Sequence, residues 1–163
     1  MDLAKAARDP WVWGQLGLFL LVGLGAPLLP RHVNLGSADS LLNRIDPDWI
    51  RRLGLALMAA GGLVALWGVR SLGRNLTPGT EPLPGAELIT TGAYARVRHP
   101  IYAGVVLLLA GYTLAWSNWT LGLLVGFIAL QYFQAKATAE ERWLVERFPA
   151  YSTYMRQVPR RVL

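Results

Sequence analysis

The chain has 163 residues, enough for one compact domain, and no Pro- or Ser-rich linker divides it. Apolar residues make up 53% and charged residues only 16%, against ~25% charged in an ordinary soluble domain, so the composition argues for a chain that meets lipid. The absence of cysteine excludes a disulfide framework, a thiolate zinc site and a cysteine nucleophile; the formal charge of +6 flanks apolar runs instead of forming a separate patch, which fits anionic headgroups and not nucleic acid.

Lys5 and Arg8 precede a first apolar run from Trp11 to about Leu29. A cleaved signal peptide would read the same way, but Gly25-Ala26-Pro27 is a poor cleavage site, and the run is read as a retained helix. Residues 31 to 48 form an outer loop with a short amphipathic stretch around Leu41-Leu42. A second run covers Leu53 to Val69, a third Ile101 to Trp116 and a fourth Trp119 to about Ala135. Ser117-Asn118 leaves room only for a tight hairpin, and Pro149 is expected to split the C-terminal segment 136–160 into two short helices.

Each run lies near the ~17–25 residues that cross a bilayer as a helix. Helices are preferred over strands because the runs lack alternation and isolated strands would leave backbone unpaired in lipid; a soluble helical bundle with buried cores is the alternative that the run lengths disfavour. Trp11, Trp13, Trp49, Trp67, Trp116 and Trp119 fall near run ends as an aromatic belt. The expected fold is all-α: a single domain over 1–163, an integral membrane bundle of four transmembrane helices with a cytoplasmic C-terminal helical segment. Lys5, Arg8, Arg70, Arg74, Arg96, Arg98, Lys136, Arg142, Arg147, Arg156, Arg160 and Arg161 fall on one side, and only Arg31, Arg44, Arg51 and Arg52 on the other. That bias puts both termini and the 70–100 loop in the cytoplasm. Asn75-Leu-Thr77 and Asn118-Trp-Thr120 match glycosylation sequons but sit in a cytoplasmic loop and a tight turn. Gly122 and Gly126 allow close helix approach, within one chain by default, with a homodimer left open.

Chemistry concentrates at two cytoplasmic places. His99 precedes Pro100, which biases it away from helical geometry and puts Pro100 at the first helical position. The unpaired N–H groups and dipole of that helix start suit a carboxylate or phosphate, so His99 is a candidate to cap the helix or bind an anion; taken alone, Arg98 and His99 read equally as markers of the interface. After the fourth run, Lys136 and Glu140 share one helical face with Glu141 beside them. As solvated charges they would be ordinary, with Lys136 and Glu140 forming an i,i+4 pair.

Linked in order, Leu88-Ile-Thr-Thr-Gly-Ala-Tyr94, Arg98-His-Pro-Ile-Tyr-Ala-Gly104, Glu140-Glu-Arg-Trp-Leu144, Phe148-Pro-Ala-Tyr151, Tyr154 and Val158-Pro-Arg160 resemble the isoprenylcysteine carboxyl methyltransferase family, including its small prokaryotic members. Phospholipid methyltransferases share a related, looser pattern. The resemblance implies an integral membrane enzyme that uses S-adenosylmethionine and releases S-adenosylhomocysteine. Carried over position by position, it implies that Glu87, Leu88, Ile89 and Tyr94 hold the adenosine part, that His99, Pro100, Ile101 and Tyr102 meet the polar end, and that Glu140 contacts the cofactor from the opposite side. Where the family has an Arg for the substrate carboxylate this chain has Lys136, which keeps the charge without a planar bidentate grip.

A sulfonium, an amine and a carboxylate are complemented by a site that joins a helix N-terminus and His99 to Glu140 and Glu141. Tyr94 and Tyr102 add cation–π attraction or stacking. No G-x-G-x-x-G follows a predicted strand, which excludes a soluble Rossmann methyltransferase. The expected reaction is methyl transfer to a lipophilic acceptor by direct displacement, with Lys136 and Glu141 as catalytic candidates. A carboxylate or thiolate needs no base; an amine needs a proton sink, for which Glu141 and His99 are candidates. Isoprenylcysteine-type carboxyl methylation is the nearest activity, and phospholipid N-methylation or small-thiol methylation are rivals. A membrane assembly or structural protein is the non-enzymatic alternative, whereas a transporter is disfavoured by the lack of repeated halves and of charge at mid-membrane.

Overall fold

The computed structural model describes residues 7–28, 47–117 and 119–163. The expectations placed on Lys5, Pro30, Arg31, Arg44, the Leu41-Leu42 stretch and Asn118 lie outside the described residues. Within them the protein is all-helical, without a strand.

Helix α1, Pro10–Gly25, follows Asp9, whose carboxylate accepts a hydrogen bond from the Trp11 backbone N–H at 2.9 Å, and Pro10 fills the first position, where no donor is lost. A 3-10 turn, Ala26–Leu28, extends it. Helix α2, Pro47–Leu72, starts earlier than its apolar run, and Asp48 in its first turn and Arg70 in its last complement the helix dipole. Helix α3, Pro100–Trp116, begins where Pro100 predicts, with His99 outside helical space at φ −127° and ψ 66°.

Helix α4, Trp119–Arg147, is a correction. The sequence pattern predicts two short helices split at Pro149 within 136–160; the split is present, with one helix ending at Arg147 and the next beginning at Tyr151. No breaker, however, sets the first of them apart from the fourth apolar run, so it continues the same rod. Only Tyr151–Gln157, α5, is a separate short helix.

Two helices, Pro10–Leu28 and Asp48–Asn75, are long and apolar enough to cross a membrane by length and composition. α3 is apolar but shorter, and α4 is apolar only up to Ala135. The outward faces are greasy: Leu20, Leu21 and Leu24 on α1, Leu63 on α2, and Leu123 and Phe127 on α4 are exposed. Apolar surface of this extent points to lipid contact. Trp13, Trp49, Trp67 and Trp116, at helix ends, are exposed with it.

Inside, small residues set the spacing. A Cβ placed on Gly61 would lie 2.5 Å from the Gly104 carbonyl oxygen, and one on Gly104 would lie 2.5 Å from the Gly61 oxygen, so α2 and α3 touch backbone to backbone. Gly122 and Gly126 of α4 face Leu114 and Ala110 of α3, an intrachain use of that pair. The core joins Val22 of α1, Ala103, Val106 and Leu109 of α3, and Ala129, Phe133 and Ala137 of α4. Tyr112 Oη donates to the Gly23 carbonyl at 3.0 Å and Tyr132 Oη donates to the Trp11 carbonyl, tying α1 to the bundle. Val162, fully buried, packs into the same core, which draws the C-terminal tail back beneath the start of α3.

Candidate active site

The start of α3 is held by that tail. The backbone N–H of Arg98 donates to the Arg160 carbonyl at 3.0 Å and that of His99 to the Arg161 carbonyl at 2.8 Å. The buried Arg98 guanidinium donates through Nε to Glu141 Oε1 at 2.8 Å and through Nη1 to the carbonyls of Val158 and Pro159 at 2.7 and 2.9 Å. His99 Nε2 lies 3.2 Å from the same Glu141 oxygen, and Arg161 Nη2 lies 3.0 Å from the other. Burial of Glu141 favours its neutral form, but the hydrogen bonds and charges of His99 and Arg98 overcome this and lower the carboxyl to about 2. His99 thus does not cap α3 with its side chain. Its ring is committed to the two glutamates, with Nδ1 3.6 Å from Glu140 Oε2.

Tyr102, one turn further along α3, links the two expected segments directly. Its Oη donates to Glu140 Oε2 at 2.7 Å, and its ring stacks on His99, with centroids 5.2 Å apart and planes at 4°. Lys136 Nζ sits 5.4 Å from the centroid of the same ring. The i,i+4 pair that solvated charges would form is absent: Tyr102 takes the Glu140 carboxylate, while Lys136 donates to Gln15 Oε1 at 2.6 Å and to the Pro78 carbonyl at 3.0 Å. Burial lowers the Lys136 pKa, and the charges of Glu140 and Asp9 offset this only in part.

The 70–100 loop forms the remaining wall. Gly92 has φ +62°, and a Cβ there would stand 2.5 Å from Ser71 Oγ; glycine lets the chain turn tightly enough for Ser71 Oγ to accept from the Ala93 N–H at 3.2 Å. The Asn75 carboxamide brackets Glu87, accepting from its N–H at 3.2 Å and donating to its carbonyl at 3.3 Å. Tyr154 Oη of α5 donates to the Tyr94 carbonyl at 2.7 Å. Burial, with the Glu140 charge behind it, raises the Tyr94 pKa and keeps its phenol protonated. Asp9 accepts from Thr80 through N–H at 2.6 Å and hydroxyl at 2.9 Å, latching the loop to α1.

These elements enclose a cavity of about 190 Å³. Of the expected site residues, Glu87, Leu88, Ile89, Tyr94, His99, Ile101, Tyr102, Lys136 and Glu140 all line it. Pro100 and Glu141 are not among the lining residues: Pro100 shapes the helix start, and both Glu141 oxygens face Arg98, His99 and Arg161. Sequence reasoning missed Gln15, Asn75, Thr77 and Arg98 as lining residues, and named Tyr151 and Tyr154 within the motif without placing them at the cavity.

The cavity lining combines apolar Leu72, Leu76, Leu88 and Ile89 with Tyr102, and with His99, Lys136 and Glu140 clustered around its ring and hydroxyl. Tyr151 Oη is buried without a hydrogen-bond partner among the described residues while its residue lines the cavity. A buried hydroxyl left unpaired costs ~1–3 kcal/mol, so this donor suits a polar ligand. An adenosine-bearing sulfonium with an amino-acid end fits that distribution of groups.

Comparison with known proteins agrees with the geometry. The phospholipid methyltransferase family matches residues 49–150, from the start of α2 to just before α5. Among curated relatives, a protein-S-isoprenylcysteine O-methyltransferase of Schizosaccharomyces pombe is 36% identical over 73 residues, 44% of this chain and 31% of the relative. The chain thus aligns with about a third of that relative's length.

Proposed function

Because the chain belongs to the phospholipid methyltransferase family, we propose that it is an S-adenosylmethionine-dependent methyltransferase acting on a lipophilic acceptor, most like carboxyl methylation of an isoprenylcysteine-type substrate. The observation that carries this is the Tyr102–Glu140 contact, which joins the approach to α3 and the polar part of α4 around one cavity. In this reading α3 and the apolar part of α4 cross the bilayer with α1 and α2, and the cavity opens at the cytoplasmic face.

Bound there, S-adenosylmethionine supplies an electrophilic methyl. The protein's contribution is binding and alignment, for which well-held reactants gain up to ~7–11 kcal/mol. Leu88, Ile89 and Tyr94 receive the apolar part; Glu140, held by Tyr102 and His99, offers a carboxylate to the cationic part. Lys136 offers its charge to an anionic acceptor. A dry site favours a reaction in which opposite charges cancel, and such an acceptor needs no proton acceptor.

Phospholipid N-methylation is the second reading, favoured by the family match and by Lys136 in place of an arginine. It requires a proton sink, and the assignment of that task to Glu141 lacks support. A carboxyl lowered to about 2, with both oxygens engaged, is a weak base. We assign Glu141 to anchoring the tail; of the two candidates only His99 lines the cavity.

Membranes containing the protein, given methyl-labelled cofactor, test the reading. A base-labile labelled ester that releases methanol is expected for carboxyl methylation and a stable labelled amine lipid for the second reading. Glu140→Gln is expected to weaken cofactor binding by about tenfold or more. Wild-type protein without cofactor affinity would overturn the enzymatic reading in favour of an assembly or structural protein.

A further inference from the structure

Lys136 is 1% exposed, yet both hydrogen bonds that hold its ammonium go to neutral oxygens, Gln15 Oε1 and the Pro78 carbonyl. Glu140 and Asp9 reach it only through longer-range charge. A buried cation held by neutral groups is poorly compensated, and an ammonium has three donors. Two are used; the Tyr102 ring, 5.4 Å from Nζ, shares the charge without accepting an ordinary hydrogen bond, so one donor is uncommitted at the cavity that Lys136 and Gln15 both line. With its oxygen turned to Lys136, the Gln15 carboxamide keeps an NH2 group as a further donor.

Gln15 comes from α1, outside the residues that match the family. It is also a polar side chain set within the first apolar run, where such a residue is costly unless it has a task.

We propose that Gln15 makes the Lys136 contact a two-residue clamp: it positions the ammonium that meets an anionic oxygen group, carboxylate or phosphate, on the methyl acceptor, so that α1 is a specificity element of the site. Gln15 acts in this as a positioning residue: it fixes the ammonium between α1 and the loop at Pro78. The inference rests on the methyltransferase reading for the chemistry after binding, and on the Lys136 geometry for the binding itself.

The test uses the full chain in detergent micelles with S-adenosylmethionine present and three probes: an S-prenylated cysteine with a free carboxylate, its uncharged methyl ester, and a lysophosphatidate. Dissociation constants come from tryptophan fluorescence. At least one anionic probe is expected to bind about tenfold or more tighter than the ester. Gln15→Glu, which hands Lys136 an internal anion, is expected to erase that preference, with a smaller change in cofactor affinity. Gln15→Met, nearly isosteric and without an acceptor, is expected to reduce it and gives the answer if Gln15→Glu does not fold. A preference for the carboxylate alone points to prenylated acids, and one that includes phosphate points to phospholipid acceptors. Equal binding of ester and anions, or a preference unchanged in both variants, would overturn the clamp. Wild-type protein that prefers anions but ignores the cofactor would overturn the methyltransferase reading and leave the clamp standing.

Discussion

Replacing Glu141 with Gln tests the idea that this residue holds the site together and moves no proton. A carboxyl lowered from its usual 4.5 to about 2 corresponds to about 3 kcal/mol of folding stability. Its side chain is only 6% exposed, so solvent screening removes little of this. Loss of the carboxylate also strands Arg98 and Arg161, and breaking a buried pair costs ~3–5 kcal/mol. For a chain of this size, 1 kcal/mol moves Tm by ~2–4 °C, so Glu141→Gln is expected to melt about 6–12 °C lower than wild type at pH 6 in micelles. A depressed carboxyl stabilises fully above its unfolded pKa and loses that contribution as pH falls through the folded value. The gap between wild type and variant should therefore hold above about pH 4.5 and shrink progressively toward pH 2. Tryptophan fluorescence melts across that range supply the measurement. A gap below about 2 °C at pH 6, or one that stays constant down to pH 3, would refute the reasoning.

Gly104→Leu should destabilise the bundle by about 3 kcal/mol through overpacking against Gly61 and Ala65, read as lost folded yield, whereas Gly62→Ala, with nothing within 4 Å of the added carbon, should be neutral or slightly stabilising. Tyr154→Phe removes the 2.7 Å bond to the Tyr94 carbonyl; about 1–2 kcal/mol should be lost from the loop, seen as faster amide exchange over residues 87–95 and weaker cofactor binding.

Much of the site was legible because its signals are local. Pro100 after His99 marks a helix start through backbone sterics alone, and the motif residues on the loop and on α4 do converge on one cavity. What escaped was three-dimensional. The spacing of Lys136 and Glu140 puts them on one helical face, but periodicity along one helix is blind to a Tyr102 ring arriving from another. Glu141 looks like a free carboxylate until the tail returns with Arg161. Gln15 was findable, as a polar residue inside an apolar run, yet its partner is far away in the sequence. The break at Pro149 was legible, whereas the first half of the C-terminal segment is no helix of its own for a simpler reason: a change from apolar to polar character ends a membrane-facing stripe without ending hydrogen bonding along the backbone.

That unbroken backbone makes α4 a rigid gauge. From Trp119 through Arg147 every residue adds ~1.5 Å and ~100°, so the height and bearing of Lys136 and Glu140 are fixed by Phe133 and Ala129, which are locked in the core. One residue inserted between Phe133 and Lys136 would swing both charges away from Tyr102 while leaving the lower packing intact. The reach demanded of an acceptor's head is thus written into the number of residues in a single rod.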